Sequence, residues 1–314
     1  MSQPAVSVII SVFNRKEHME KCLAAMLKSS YKNYDLIVVD GGSRDGTLEM
    51  LREAEKKNKK LKVFVDKTPG RNPARNTGIK KATGELLIFV DSDCIVDKNW
   101  MKEIVRPFDD PTVGGVIGRT IADKKGLFWY HMENDYLQFI GHNSAYRKSI
   151  IKKIGCFDLR FKTAREDTDL AWTVIDLGYK MVHCNNAVMT HLSRRVSARY
   201  RIKNQRAFIY DGLLYRKHKN LYKKYFYVKG MPATLWPSIF SPVVFLFFVY
   251  SLIFYRTIAD VMIFVYIIIV VKKLIGNKNG TLRENAEFFL LIWILPLSRV
   301  YYFMKGWIFV RDKI

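Results

Sequence analysis

Ile88-Phe89-Val90-Asp91-Ser92-Asp93 decides how this chain is read. An apolar run marks a buried strand, and two carboxylates follow it one residue apart. Side chains of an extended chain alternate, so residues i and i+2 share a side. Asp91 and Asp93 therefore face one spot beyond the strand's end. Hard divalent cations take oxygen ligands, and an ion held there can also hold a diphosphate. An isolated Asp-x-Asp more often marks a solvated strand-to-loop turn, so the pattern around it carries the weight.

Outward from this stretch, further strands are predicted at Val6–Val12, Leu36–Val39, Lys62–Val65 and Gly114–Gly118. Helices are predicted between the early ones, over Glu17–Ser29 and Thr47–Lys57. Strands alternating with helices predict an α/β domain with a mostly parallel sheet and right-handed crossovers. Ligands of such sheets bind beyond the carboxyl ends of the strands. Asn14, Asp40 and Asp91 fall there.

The chain has 314 residues, with 52 Lys and Arg against 29 Asp and Glu, for a net charge of +23. That surplus points to a polyanionic partner, whether nucleic acid, anionic lipid or a phosphorylated substrate. Cys22, Cys94, Cys156 and Cys184 are scattered without a Cys-x-x-Cys spacing, so neither a disulfide framework nor a zinc site is implied. The early strand Val6–Ile10 is too short for a signal peptide.

The second half opens with charge. Between Arg194 and Lys229 stand twelve Lys or Arg and one acid, Asp211, interleaved with aromatics. This pattern also fits an RNA-binding stripe. The uncharged run Thr234–Tyr255 redirects the reading. Its 22 residues span about 33 Å as a helix, enough to cross a bilayer. Thr257–Val271 and Ala286–Val310 are further apolar runs, the last suited to lying along the interface. The basic stretch then reads as a collar on anionic headgroups, with no nucleic acid as partner.

Two more turns carry chemistry. Val39-Asp40-Gly41-Gly42-Ser43-Arg44-Asp45-Gly46-Thr47 is a strand end, a glycine turn and a helix start, with Asp45 or Thr47 as cap. Asp40 can accept a hydrogen bond from a base N–H or a ribose hydroxyl. Gly70-Arg71-Asn72-Pro73-Ala74-Arg75-Asn76-Thr77-Gly78 is a second polar turn, whose arginines suit a phosphate or the face of a base.

The order of motifs resembles the family 2 glycosyltransferases, of the nucleotide-diphospho-sugar (GT-A) fold. The matching segments are Ser7–Asn14, Val39–Thr47, Ala74–Gly78, Asp91–Asp93, Gly141–Arg147, Gly155–Asp158 and Glu166–Leu170, within about the first 195 residues. The resemblance implies a GT-A catalytic domain over 1–205, and the charge and apolar runs that follow predict a basic juxtamembrane linker over 206–232 and membrane-embedded and interfacial helices over 233–314. It implies that Phe13, Asn14, Asp40 and Arg75 hold the nucleotide, the last two near the base. Asp91 would lie near the ribose and metal, Asp93 would bind Mg2+ or Mn2+, and His191 would complete the metal site. Asp167 would be the catalytic base, with Glu166 beside it. Gly141, His142 and Asn143 would line the sugar and acceptor cleft. Arg194 and Arg195 either clamp the diphosphate or begin the basic collar.

Asp40-Gly41-Gly42-Ser43 departs from the family's usual Asp-Asp-Gly-Ser, and Thr173 stands where an arginine is common. The absence of Gln-x-x-Arg-Trp points to single transfer rather than processive synthesis. The expected activity is inverting transfer of one sugar from a UDP- or GDP-sugar to a lipid or lipid-linked acceptor. The expected place is the cell membrane, with the catalytic domain cytoplasmic. The competing expectation is a non-catalytic basic binding protein, or a scaffold with a degenerate transferase domain.

Overall fold

Alternating apolar side chains sort the central strands onto two faces. In β1 (Val6–Val12), Val6, Val8, Ile10 and Val12 enter one core while Ile9 enters the other. In β2 (Tyr34–Asp40), Leu36 and Val38 oppose Ile37 and Val39 in the same way. The first core is closed by α1 (Lys16–Leu27) through Met19, Cys22, Leu23 and Met26, and by Leu51 of α2 (Thr47–Lys57). Beyond β3 (Leu61–Val65), the second core receives Ala74 and Ile79 of α3 (Arg71–Lys81). Strands buried on both faces are the mark of a sheet sandwiched by helices. The computed structural model describes residues 3–124, 129–130, 139, 141–228, 231–232, 294–295 and 297–307.

β4 (Leu86–Asp91) lies beside β1 and ends in the Asp-x-Asp stretch, followed by β5 (Cys94–Val96) and α4 (Trp100–Val105). Then come β6 (Val113–Ala122), β7 (Trp129–Tyr130), β8 (Ser144–Arg147), α5 (Lys148–Ile154), α6 (Glu166–Asp176) and β9 (Lys180–His191). The eight-stranded sheet has the order β3-β2-β1-β4-β8-β6-β9-β5. Four neighbouring pairs in it run parallel and three antiparallel, so the sheet is mixed where a mostly parallel one was expected. The reversal at β8 has a positional consequence. Phe89 of β4 pairs with Ser144 of β8, so the turn Gly141–Asn143 before β8 arrives beside Asp91 at the end of β4. An antiparallel strand brings its start, not its end, to the site. Helix α3 sits close enough to β1 that a Cβ on Gly78 would lie 2.5 Å from Ile9 Cγ2, which fixes the distance between Arg75 and the sheet.

The described residues fall into two compact units. The first holds those up to Lys124 and from Phe139 to Ser193. The second holds 129–130 and those from Arg194 onward. In the second, β10 (Arg194–Arg195) pairs antiparallel with β7. Short helices follow: α7 (Ala198–Asn204), α8 (Asp211–Lys217) and α9 (Lys219–Phe226), and residues 297–307 are helical. Among the described residues no helix is long and apolar enough to cross a membrane. The runs 234–255 and 257–271, and 286–310 apart from its helical part, lie outside the described residues.

Candidate active site

The mouth of the sheet begins at β1 and β2. Asn14, with φ of 51°, donates its backbone N–H to Ser43 Oγ at 2.8 Å and accepts from the Arg44 N–H at 2.8 Å. These bonds tie the loop after β1 to the loop after β2. Phe13 stands beside them with 59 % of its surface exposed. Asp40 is fully buried, and its Oδ1 accepts the backbone N–H groups of Gly42 and Ser43, both at 2.8 Å. Gly42 has φ of 88°, the left-handed turn that aims these amides back at the carboxylate. Asp40 Oδ2 is buried without a hydrogen-bond partner among the described residues. A buried acceptor left bare costs about 1–3 kcal/mol, so this atom suits a donor from a bound molecule.

Arg75 is the hub of the neighbouring network. Its side chain is 1 % exposed, with Nη2 donating to Asp91 Oδ1 at 3.0 Å and Nη1 lying 3.7 Å from Glu166 Oε1. The guanidinium also lies over the Phe157 ring, 5.4 Å from its centroid. Asn76 exchanges two 2.9 Å hydrogen bonds with the Phe157 backbone, which locks that ring against α3. Arg71 approaches Asp91 Oδ2 at 3.6 Å. Burial works against ionisation of Asp91, but the Arg71 and Arg75 guanidiniums outweigh it and hold its carboxyl well below the usual range. Burial, reinforced by Asp167, pushes Glu166 up. Glu166 Oε2 is buried without a hydrogen-bond partner among the described residues.

Asp93 meets a different partner. Its Oδ1 lies 3.2 Å from His191 Nε2, and the ring of His142 lies 5.1 Å from that of His191, tilted by 53°. Strand pairing creates this proximity, because Cys94 of β5 is directly opposite His191 of β9. The Leu192 N–H donates to the Asp93 carbonyl at 2.8 Å and secures the corner. Burial raises the Asp93 carboxyl above its ordinary value, and the nearby Asp91 adds to it. Burial lowers His142 to about 3, so its imidazole is neutral where it faces Asp91 at 3.7 Å. One ligand atom each from Asp93, Cys94 and His191 lie within 4.8 Å of one another. A carboxylate oxygen and a neutral imidazole nitrogen suit Mn2+, and Mg2+ less closely. A cation also meets the need of a desolvated acid beside another acid.

Asp167 opens α6 next to Glu166. Its Oδ2 accepts the Gly141 N–H at 2.8 Å and its Oδ1 accepts the Thr168 N–H at 2.8 Å. A Cβ on Gly141 would lie 2.8 Å from Arg75 Nη1 and 3.0 Å from Asp167 Cβ, so only glycine passes between these two groups. Asn143, expected in the cleft lining, is fully buried instead. Its Oδ1 accepts from Trp100 Nε1 at 2.8 Å, and its Nδ2 donates to the carbonyls of Arg119 and Ala187 at 3.0 and 3.1 Å. It pins the turn that delivers Gly141 and His142. Asn143→Ala leaves the buried Trp100 donor without its acceptor, and is expected to cost about 1–3 kcal/mol by thermal or urea melting.

Asp91, Asp93, Arg75, Glu166, Asp167, Gly141, His142 and His191 thus share one connected region of the first unit. Arg75, expected near the base, faces the two acids. Arg194 and Arg195 lie in the second unit, where Arg194 donates to the Tyr200 hydroxyl at 2.7 Å. Sequence reading did not single out Cys94, Trp100 or Phe157. Arg71 was visible only as one of two arginines in its turn.

The chain is similar to known proteins. The family model described as "Glycosyl transferase family 2" matches residues 7–168. The glycosyltransferase AglE of Haloferax volcanii is 29% identical over 61% of this chain and 68% of its own length. The Methanococcus voltae dolichyl N-acetyl-alpha-D-glucosaminyl phosphate 3-beta-D-2,3-diacetamido-2,3-dideoxy-beta-D-glucuronosyltransferase is 25% identical over 96% of each chain. Among solved structures, the mannosyltransferase PcManGT from Pyrobaculum calidifontis, in complex with GDP-Man and Mn2+, superposes with a TM-score of 0.73 at 16% identity, over 100% of this chain and 89% of that one. With more than half of its length matched and the motif residues gathered at the strand ends, this chain belongs to the family 2 glycosyltransferases, on a GT-A fold.

Proposed function

We propose that this glycosyltransferase moves one sugar, with inversion, from a UDP- or GDP-sugar to a lipid or lipid-linked acceptor at the cytoplasmic face of the cell membrane, with Mg2+ or Mn2+ held by Asp93 and His191. The observation that carries this reading is the facing Asp93–His191 pair set beside the Asp91–Arg75–Glu166 network, with Asp167 anchored next to it.

Each residue has a task in such a transfer. Asp40 offers Oδ2 to a base or ribose donor, and Phe13 offers an exposed ring to the base. A divalent ion, when bound, supplies Lewis-acid neutralisation of the departing diphosphate. Arg75 keeps Asp91 ionised and oriented. Asp167 takes the proton of the acceptor hydroxyl as its oxygen bonds to the anomeric carbon and the sugar–phosphate bond breaks. The Gly141 N–H holds that carboxylate in place throughout. A single displacement inverts the anomeric centre and needs no second nucleophile.

The acceptor class is drawn from the Methanococcus voltae relative, whose name places its acceptor on a dolichyl phosphate. The membrane is supported from this chain's own residues. Leu297, Tyr301 and Met304 are exposed at helical spacing, which makes an apolar stripe suited to a lipid surface. The GDP-mannose and Mn2+ of the solved mannosyltransferase support the donor and metal classes.

The test is release of nucleoside diphosphate by the full chain from a panel of sugar nucleotides, with a lipid extract as acceptor. Transfer is expected with Mn2+ or Mg2+, to stop with a chelator, and to fall about a hundredfold or more in Asp93→Asn. The product's anomeric configuration, read by NMR, is expected to be opposite to the donor's. Unchanged transfer in the chelator or the variant would overturn the metal assignment, and retained configuration would overturn the single displacement.

A further inference from the structure

The corner that holds Asp93 and His191 contains a third donor of different character. Cys94 is fully buried, and its Sγ lies within 4.8 Å of a ligand atom from each of the other two. Two features make this more than a cysteine near an acid. The β5–β9 pairing sets Cys94 directly opposite His191 on rigid backbone. His191 is itself 3 % exposed, with Nε2 turned to Asp93 at 3.2 Å and Nδ1 buried without a hydrogen-bond partner among the described residues. An oxygen, an imidazole nitrogen and a sulfur at one point form a mixed set. Hard ions such as Mg2+ use the oxygen and ignore the sulfur, whereas Zn2+ and Cd2+ favour sulfur strongly.

We propose that Asp93, Cys94 and His191 form a three-donor site for a soft divalent ion, Zn2+ or Cd2+, which occupies the place of the catalytic ion and blocks it. This rests on the reading of Asp93 and His191 as the metal-holding pair. The Cys94 S–H bond breaks as the metal–sulfur bond forms, and the proton leaves to solvent. Metal charge is unchanged, and no oxidant is involved. The bound soft ion then carries a thiolate, which neutralises part of the charge that the donor diphosphate would otherwise meet. Asp93, with 18 % of its side chain exposed, is the open side through which the ion enters. Sequence spacing hides this set, since the ligands are neighbours at 93 and 94 and then almost a hundred positions away.

The experiment titrates the purified full chain with CdCl2 alone and follows the sulfur-to-cadmium charge-transfer absorbance, with cadmium X-ray absorption to count sulfur scatterers. Mn2+ binding is measured on the same preparation by the loss of its free-ion EPR signal. One cadmium with one sulfur neighbour is expected, displaced by excess Mn2+. Cys94→Ser is expected to weaken Cd2+ binding by roughly a hundredfold, since even outer-sphere partners of a metal ligand are worth ten- to a hundredfold. A variant carrying Cys22→Ala, Cys156→Ser and Cys184→Ser, which keeps Cys94 as sole thiol, is expected to retain the band, and it decides the matter if Cys94→Ser does not fold. Mn2+ binding without any sulfur signal from Cd2+ would overturn the soft-metal site and leave the Asp93–His191 pair standing. A band that survives Cys94→Ser, or disappears in the triple variant, would assign the sulfur elsewhere. Failure of Mn2+ and Cd2+ alike to bind would defeat the pair itself.

Discussion

Asp167→Asn is expected to fold normally and to lose about a thousandfold or more in sugar transfer. The amide keeps the size of the carboxylate and can still accept the Gly141 N–H through its oxygen, so the 2.8 Å anchor survives, while the bond from the Thr168 N–H at the helix start is lost. It cannot take a proton from the acceptor. General-base catalysis contributes roughly 10²–10⁴-fold, which sets the scale of the loss. Donor binding is expected to persist, because the Asp40 pocket and the Asp93–His191 pair are untouched. The measurement is turnover beside nucleotide-sugar affinity: kcat falls and affinity holds. A loss of affinity equal to the loss in kcat would make Asp167 a donor-binding residue instead.

The largest expected effect on stability is that of Arg75→Met. Methionine fills similar space but removes the charge between Asp91 and Glu166, both part of the buried network. Breaking a buried ion pair from one side costs about 3–5 kcal/mol, because the remaining charges stay desolvated. Arg71, at 3.6 Å, still compensates Asp91 in part, so Glu166 carries most of the penalty. The pH dependence follows from the direction of the shift. Without Arg75, the folded-state carboxyl of Glu166 rises further above its unfolded value. Such a group favours folding when protonated, and that support disappears as pH rises through the folded value. The deficit of Arg75→Met in urea melts is therefore expected to be larger at about pH 7.5 than at about pH 5. Arg75→Lys is not expected to restore the native state, since one ammonium cannot fork to both acids. A pH-independent deficit would mean that Arg75 acts by packing on Phe157 alone.

Apolar patterning was enough to find β1 to β4 and the middle of β6, because each carries a run that reads as a buried strand. It placed Asn14, Asp40 and Asp91 near strand ends for the same reason. The strands that build the far side were harder to read. β5 has three residues, and β8 is Ser-Ala-Tyr-Arg, with little apolar signal. β9 passes through Asn185 and Asn186, where its register against β6 slips. The reversals at β8 and β5 turn an expected mostly parallel sheet into a mixed one. The site divides along similar lines. Resemblance drew attention to His191, but only the β5–β9 pairing sets it against Asp93 and Cys94. A buried guanidinium between two acids cannot be seen in a polar helix start, so the sequence left Arg75 open to a phosphate or a base, and only the resemblance placed it near the base. Asn143 stood in a run that also supplies Gly141 and His142, and nothing in its neighbours marks its amide as consumed by Trp100 and two carbonyls.

The measurement that bears most directly on the central claim is calorimetric titration of a nucleoside diphosphate into the full chain, with and without Mn2+, for the native protein and for Asp93→Asn. A pair of facing ligands at Asp93 and His191 that bridges a diphosphate through a cation predicts binding that strengthens at least about tenfold with Mn2+ in the native protein, and no such gain in the variant. Equal affinity with and without the ion, or an undiminished gain in Asp93→Asn, would contradict it.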